Sequence, residues 1–108
     1  SINYTVGIKP IGNEIPIVFD MSQNYPNPFN PSTKIDFALP KSSFVTLKVY
    51  DMSGREVATL LNSFVNLGKY SVSWNTSESN KPLSSGVYFY RLTTNTGYML
   101  TKKMVLVK

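Results

Sequence analysis

The chain has 108 residues, a formal net charge of +5 and 42% hydrophobic residues, so one domain with one hydrophobic core is expected. Cysteine and histidine are both absent, which excludes disulfide bonds, thiolate nucleophiles, histidine acid–base catalysis and the usual zinc sites. No apolar run is long enough to span a membrane, and the first residues lack the pattern of a signal peptide. Because the chain begins with Ser1 rather than Met, we expect a part of a longer protein.

The first sixteen residues are predicted to form a linker. Pro10, Gly12 and Pro16 interrupt this segment, and its apolar residues follow no sustained period. We therefore expect a linker at residues 1–16 and a folded domain at residues 17–108.

Short segments in which apolar and polar residues alternate follow the linker. Such alternation, with β-branched and aromatic residues at the apolar positions, is typical of β-strands. The predicted strands cover residues 17–21, 33–39, 44–50, 56–61, 69–74, 86–94 and 98–107. Asp51 and Gly54 delimit one predicted tight turn, and Gly97 ends another. No helical period persists, so the pattern predicts an all-β fold, an antiparallel β-sandwich of about seven strands.

Aromatic residues concentrate on two of the predicted strand faces. One face carries Tyr70, Val72 and Trp74, and the other carries Tyr88, Tyr90 and Leu92. These faces either form the core or stack on a sugar, and the core is favoured because aromatic residues dominate protein cores. The residues predicted to face inward are Ile35, Phe37, Leu39, Val45, Leu47, Val49, Val72 and Trp74.

The sequence contains no recognisable set of catalytic residues. Its acidic residues are scattered, and no loop brings two of them together as a calcium site requires. Serine and threonine are abundant, but no histidine can activate them. We therefore expect no enzyme activity, no metal and no cofactor.

The end of the chain is basic, because Arg91, Lys102, Lys103 and Lys108 are accompanied by no acidic residue. A basic segment can bind nucleic acid or an anionic surface. Lysines on a sheet edge also deter aggregation, and four charges among mostly apolar residues favour that second interpretation. Neither a nucleic-acid partner nor membrane insertion is expected.

A proline-rich loop precedes the second predicted strand. Its prolines restrict their own backbone and that of the preceding residues, so the loop is expected to be rigid. The asparagines before Pro28 and Pro31 are expected to close Asx turns. Tyr25 and Phe29 are predicted to cover one end of the sandwich. The loop consists of Asn24, Tyr25, Pro26, Asn27, Pro28, Phe29, Asn30 and Pro31.

This loop resembles the opening of the type A C-terminal sorting domain of the type IX secretion system. The resemblance continues through Gly68, Trp74, the segment 85–92 and the segment 102–108, and it covers about residues 17–108. In one departure from the family, the approach to the strand at 86–94 contains Lys81 and Pro82 where the family has glycines.

The resemblance implies an immunoglobulin-like sandwich that serves as the sorting signal for an upstream cargo domain in the same chain. It implies that an outer-membrane translocon and a shuttle protein recognise the domain, and that a sortase-like peptidase removes it. The cargo would pass through the periplasm and the outer membrane and become secreted or attached to the cell surface. The alternative function is a non-catalytic adhesion or carbohydrate-binding module of an extracellular enzyme.

The sorting signal is predicted to lie chiefly in the last strand. A strand at the end of a domain can pair through its backbone with a partner, and its lysines can steer it toward an acidic receptor. Without the resemblance, an ordinary closing strand would be the favoured interpretation. We expect Met104 and Leu106 to project to one side of it and Val105 to the other. The predicted signal residues are Lys102, Lys103, Met104, Val105, Leu106, Val107 and Lys108.

Overall fold

A computed structural model describes residues 6–78 and 83–108 as a two-layer β-sandwich. Within these residues the strands are β1 (Val6–Pro10), β2 (Asp20–Met21), β3 (Ser32–Leu39), β4 (Ser43–Tyr50), β5 (Glu56–Val65), β6 (Gly68–Asn75), β7 (Gly86–Thr94) and β8 (Met99–Leu106). A short 3₁₀ turn, Thr76–Glu78, follows β6. None of the described segments is a helix of the length and apolarity that crossing a membrane requires.

Each layer is an antiparallel sheet of four strands. The strand order is β1-β6-β3-β2 in sheet one and β5-β4-β7-β8 in sheet two. The connections after β3, β5 and β6 carry the chain from one sheet to the other, which is how sandwiches bring distant segments side by side. The predicted all-β sandwich is confirmed.

The core lies between the two sheets and follows the alternation of the sequence. In β3, the side chains of Ile35, Phe37 and Leu39 are buried while those between them are exposed or half-buried. All eight side chains predicted to face inward are buried. Trp74 is 4% exposed and Tyr90 is fully buried, so these aromatic faces form the core and not a ligand platform.

The first strand differs from the sequence prediction. β1 pairs with β6 where the sequence predicts part of a linker. Ile11 donates a backbone hydrogen bond to Lys69 of β6, so by alternation the nitrogen of Pro10 faces away from β6. A proline there removes no ladder bond, and a strand held by backbone pairing at a sheet edge needs no apolar alternation. Residues 1–5 of the predicted linker lie outside the described residues, and the domain boundary stays a prediction.

Two further differences concern strand lengths and one loop. The strand predicted at 17–21 is confined to β2, and Ile17 and Val18 are exposed. β5 continues to Val65, four residues beyond its predicted end. The loop that departs from the family pattern lies in part outside the described residues, since 79–82 are not described.

The turn between β4 and β5 forms as the sequence predicts. Gly54 has a φ of 87°, in the region that favours glycine, and its N–H donates to the carbonyl of Asp51. The Asp51 carboxylate accepts hydrogen bonds from Ser53 and Arg55. These donors, the Ser53 hydroxyl above all, lower the pKa of Asp51 below its ordinary value.

Candidate functional site

The last strand, β8, forms one edge of sheet two and pairs along its length with β7. Its side chains divide as the sequence predicts. Met104 and Leu106 are buried in the core, while Lys103 is exposed and Val105 is half-buried on the opposite side. The strand is therefore a structural element of the core and, at the same time, presents a row of side chains to solvent.

The proline-rich loop is organised around a buried asparagine. The side-chain amide of Asn24 donates to the carbonyl of Pro26 over 3.1 Å and to the hydroxyl of Thr33 over 3.0 Å. The Thr33 hydroxyl in turn donates to the same carbonyl over 3.0 Å. These bonds close the first half of the loop onto the beginning of β3 and satisfy the buried polar atoms.

Tyr90 of β7 joins this loop to sheet two. Its hydroxyl accepts the backbone N–H of Asn24 over 2.8 Å and donates to the carbonyl of Ser22 over 2.9 Å. The ring is fully buried. Burial disfavours the charged phenolate and raises the pKa of Tyr90 to about 12, so in the folded protein the hydroxyl keeps its proton well into the alkaline range.

Of the two aromatic residues of the loop, only one covers the end of the core. Phe29 is buried at the end of the sandwich as predicted, with 2% of its surface exposed. Its ring centroid lies 6.0 Å from that of Trp74. The same prediction for Tyr25 is wrong, because Tyr25 is 75% exposed. Its backbone pairs with that of exposed Lys34 in both directions, over 2.9 and 2.8 Å. Side chains of directly paired residues lie on the same side of a sheet, so Tyr25 projects to solvent with Lys34.

The second half of the loop lies against the outer edge of β8. Phe29 donates its N–H to the carbonyl of Val105 over 2.9 Å and accepts the N–H of Val107 over 3.0 Å. The side-chain oxygen of Asn27 accepts the N–H of Val105 over 3.0 Å and does not close the predicted Asx turn. Directly before the loop, the Gln23 side chain donates to the carbonyl of Lys103 over 2.6 Å.

The structure therefore brings together the two groups of residues that the sequence singles out. The loop acts as a short additional strand on β8, with Phe29 bridged in parallel to Leu106. The sequence predicts neither this contact nor the roles of Gln23 and Tyr90, since the partners lie 66 to 80 positions apart. We call the loop and β8 together the loop–strand unit.

The face of β7 and β8 that points away from the core is basic. The guanidinium of Arg91 lies over the ring of Tyr50, 5.3 Å from its centroid, and donates to the hydroxyl of Thr101 over 3.1 Å. In the parts of the chain that the structure describes, neither Arg91 nor Lys103 forms an ion pair. Because no acid neutralises these cations, the face is complementary to an anionic partner.

Acidic residues are too dispersed in the described ranges to form a metal centre. The carboxylates near the basic face have partners of their own. Glu56 pairs with Lys48 over 3.1 Å, and Asp51 pairs with Arg55 over 3.3 Å. The donors of Thr59 and Lys48 lower the pKa of Glu56 below its ordinary value. The carboxylates nearest to the basic face are thus already paired, whereas Arg91 and Lys103 have no ion-pair partner among the described residues.

Comparison with known proteins identifies the family of the chain. The family model described as the secretion system C-terminal sorting domain matches residues 23–108. Among solved structures, the chain is similar to dimeric latent PorU from Porphyromonas gingivalis, with a TM-score of 0.64 and 25% sequence identity. That similarity covers 90% of this chain and 10% of the PorU chain, so the chain spans about a tenth of that protein. No curated protein matches the chain. Because the family match includes both the proline-rich loop and β8, the chain belongs to the secretion system C-terminal sorting domains, the sorting signals of type IX secretion.

Proposed function

We propose that the loop–strand unit is the part of this sorting domain that the export machinery recognises. The observation that carries the proposal is that the loop fixes the position of β8 through its backbone, while Lys103 and Lys108 remain exposed. A rigid strand presents its side chains at little cost in conformational entropy on binding. The domain itself performs no chemistry, and it directs an attached cargo across the outer membrane.

The proposed partners are the translocon and a shuttle protein. Lys102, Lys103 and Lys108 form no ion pairs within the described residues, and such charges accelerate association with an acidic receptor. Protection of a sheet edge by lysines would explain the same residues without a partner. The two explanations differ in whether reversal of these charges affects export.

Charge reversal on β8 tests this proposal better than deletion of the strand. Deletion of residues 103–108 would remove Met104 and Leu106 from the core, and a cavity of that size destabilises the fold. We therefore place residues 1–108 behind a signal peptide and a fluorescent reporter, in a bacterium that has type IX secretion. The variant is Lys103→Glu with Lys108→Glu, and the control is Lys34→Glu with Lys41→Glu, which changes the net charge equally.

The first variant is expected to leave the reporter in the periplasm, whereas the control is exported like the unchanged chain. If both variants are exported equally, β8 is not the signal and the segment 27–29 becomes the next candidate. If the unchanged chain does not export the reporter, the function itself is refuted for this domain.

We further propose that a sortase-like peptidase removes the domain by cleavage between Ser1 and Pro16, which releases the cargo or leaves it at the cell surface. Exposed segments outside regular structure are the preferred sites of proteolysis, and Gly12 and Asn13 lie in such a segment between β1 and β2. Mass spectrometry of the mature cargo tests this. A mature C-terminus beyond Leu39 would contradict it, and a retained domain would favour the carbohydrate-binding alternative.

A further inference from the structure

The outer edge of β8 is covered along only part of its length. Both backbone groups of Val105 and the N–H of Val107 are hydrogen-bonded to the loop. The carbonyl of Lys103 is hydrogen-bonded to Gln23, the residue directly before the loop. A second protein cannot pair with this part of the strand unless it first displaces the loop. Strand pairing at the predicted signal 102–108 is therefore largely obstructed by the domain itself.

The beginning of β8 lacks such a cover. The backbone groups of successive residues in a strand point to alternate sides, so those of Met99 and Thr101 point outward like those of Lys103 and Val105. No hydrogen bond within the described ranges occupies the outward N–H and carbonyl of Thr101. β8 is the last strand of its sheet, and the side chains of Met99 and Thr101 are exposed. An uncovered strand edge is a template for pairing with another chain.

Charge indicates what kind of chain fits this edge. Arg91 is the direct cross-strand neighbour of Thr101, and Lys103 follows two residues later on the same face. Both side chains are exposed, and neither forms an ion pair in the described part of the chain. A strand added beside Thr101 would place its outward side chains next to these cations. Acidic residues at those positions would be stabilised and basic ones repelled.

We propose that the uncovered edge of β8, from Met99 to Thr101, binds an extended acidic segment of the export machinery as a fifth strand of sheet two. This inference rests on the proposed function and adds the mode of binding: the partner pairs with the backbone beside the loop, and the loop marks the end of the binding site. The Arg91 guanidinium, held over Tyr50 and bonded to Thr101, is a specificity-determining group.

Proline substitution tests pairing at this edge without breaking the hydrogen bonds inside the sheet. Thr101→Pro removes an N–H that points away from β7, so the pairing within the sheet is retained. It also removes the hydroxyl that accepts from Arg91, and Thr101→Val, which loses that hydroxyl but keeps the N–H, isolates the contribution of the N–H. Ile8→Pro is the matched control, because Ile8 occupies the equivalent outward position on β1, the edge strand of sheet one. A second pair of variants is Arg91→Glu and Lys34→Glu, two exposed cations on opposite sheets. All are made in the reporter fusion described above, and urea unfolding establishes that each is folded.

We expect Thr101→Pro and Arg91→Glu each to reduce the ratio of exported to periplasmic reporter about tenfold, the effect of losing one charge-assisted or backbone hydrogen bond. The two control variants are expected to export normally. Normal export of a folded Thr101→Pro variant overturns the inference, as does an equal loss with Ile8→Pro. If Thr101→Pro does not fold, the Arg91→Glu result decides. Every comparison requires that the unchanged chain exports the reporter. Failure of the proposed function can therefore be told apart from failure of this inference.

Discussion

The side-chain oxygen of Asn27 accepts a hydrogen bond of 3.0 Å from the backbone N–H of Val105, which lies 78 positions further along the chain. The Asn27 side chain thereby accepts an N–H of β8 that the backbone carbonyl of a neighbouring strand would otherwise accept. The bond lies at the outer edge of the sheet, where the loop replaces a missing strand. It makes the position of the last strand dependent on the proline-rich loop.

Removal of this bond is expected to loosen the edge of β8 without disturbing the core. Asn27→Ala leaves the N–H of Val105 without its partner and should lower the free energy of unfolding by about 1 kcal/mol. Hydrogen exchange of the Val105 amide should accelerate at the same time. Asn30→Ala is the control, since the exposed Asn30 side chain makes no hydrogen bond within the described ranges. Equal effects of the two variants would show that the Asn27 bond does not hold the strand.

The Tyr90 hydroxyl is expected to be the most important polar group of the core. Tyr90→Phe deprives the buried N–H of Asn24 and the carbonyl of Ser22 of their partner, which should cost about 1–3 kcal/mol. Tyr88→Phe removes one bond, to the carbonyl of Ser84, and should cost less. Chemical unfolding measures both, and a larger loss for Tyr88→Phe would contradict the prediction.

The same hydroxyl predicts how stability depends on alkaline pH. The pKa of Tyr90 is about 12 in the folded protein and about 10 in an unfolded chain. Between these values the folded state binds the proton and the unfolded state releases it, so the free energy of unfolding falls as pH rises from about 10 to about 12. Tyr90→Phe lacks this group, and its stability deficit relative to the unchanged protein should narrow over that range. A constant difference would refute the shift.

Trp74 is expected to be among the residues least tolerant of truncation. The buried indole packs next to Phe29 at the end of the sandwich, and Trp74→Ala should cost about 3–5 kcal/mol. Phe64→Ala, which removes an aromatic ring that is 62% exposed, should cost less than about 1 kcal/mol. Urea unfolding followed by circular dichroism compares the two. A loss below about 1 kcal/mol for Trp74→Ala would mean that the indole is exposed.

Acid sensitivity is expected to involve the Asp51 turn. Because hydrogen bonds lower the pKa of Asp51 in the folded state, its contribution to stability is present above its ordinary pKa and is lost as pH falls through the folded value. Asp51→Asn should therefore flatten the decline of stability in acid. Asp36→Asn is the control, because the exposed Asp36 carboxylate accepts no hydrogen bond from the described residues. An unchanged acid profile in Asp51→Asn would contradict the assignment.

Alternation of apolar and polar residues is enough to predict which side of each central strand faces the core. In β3 and β4, buried residues such as Ile35 and Val45 alternate with exposed or half-buried ones. Only one orientation of each strand can bury all of the apolar positions. The turn at Gly54 is equally local, since its residues carry the required backbone conformation and capping bonds. The resemblance to a sorting domain also depends on short ordered motifs, which are readable without a structure.

The completion of the sheet edges depends on tertiary contacts between segments that are not adjacent in the chain. Each of these contacts uses at least one backbone group: β1 pairs with β6, the backbone of Tyr25 pairs with that of Lys34, and the N–H of Val105 donates to Asn27. Every residue except proline offers the same backbone donor and acceptor, so sequence composition does not distinguish the partners. The position of the uncovered edge at Thr101 follows from these pairings, because it begins where the proline-rich loop ends its contact with β8.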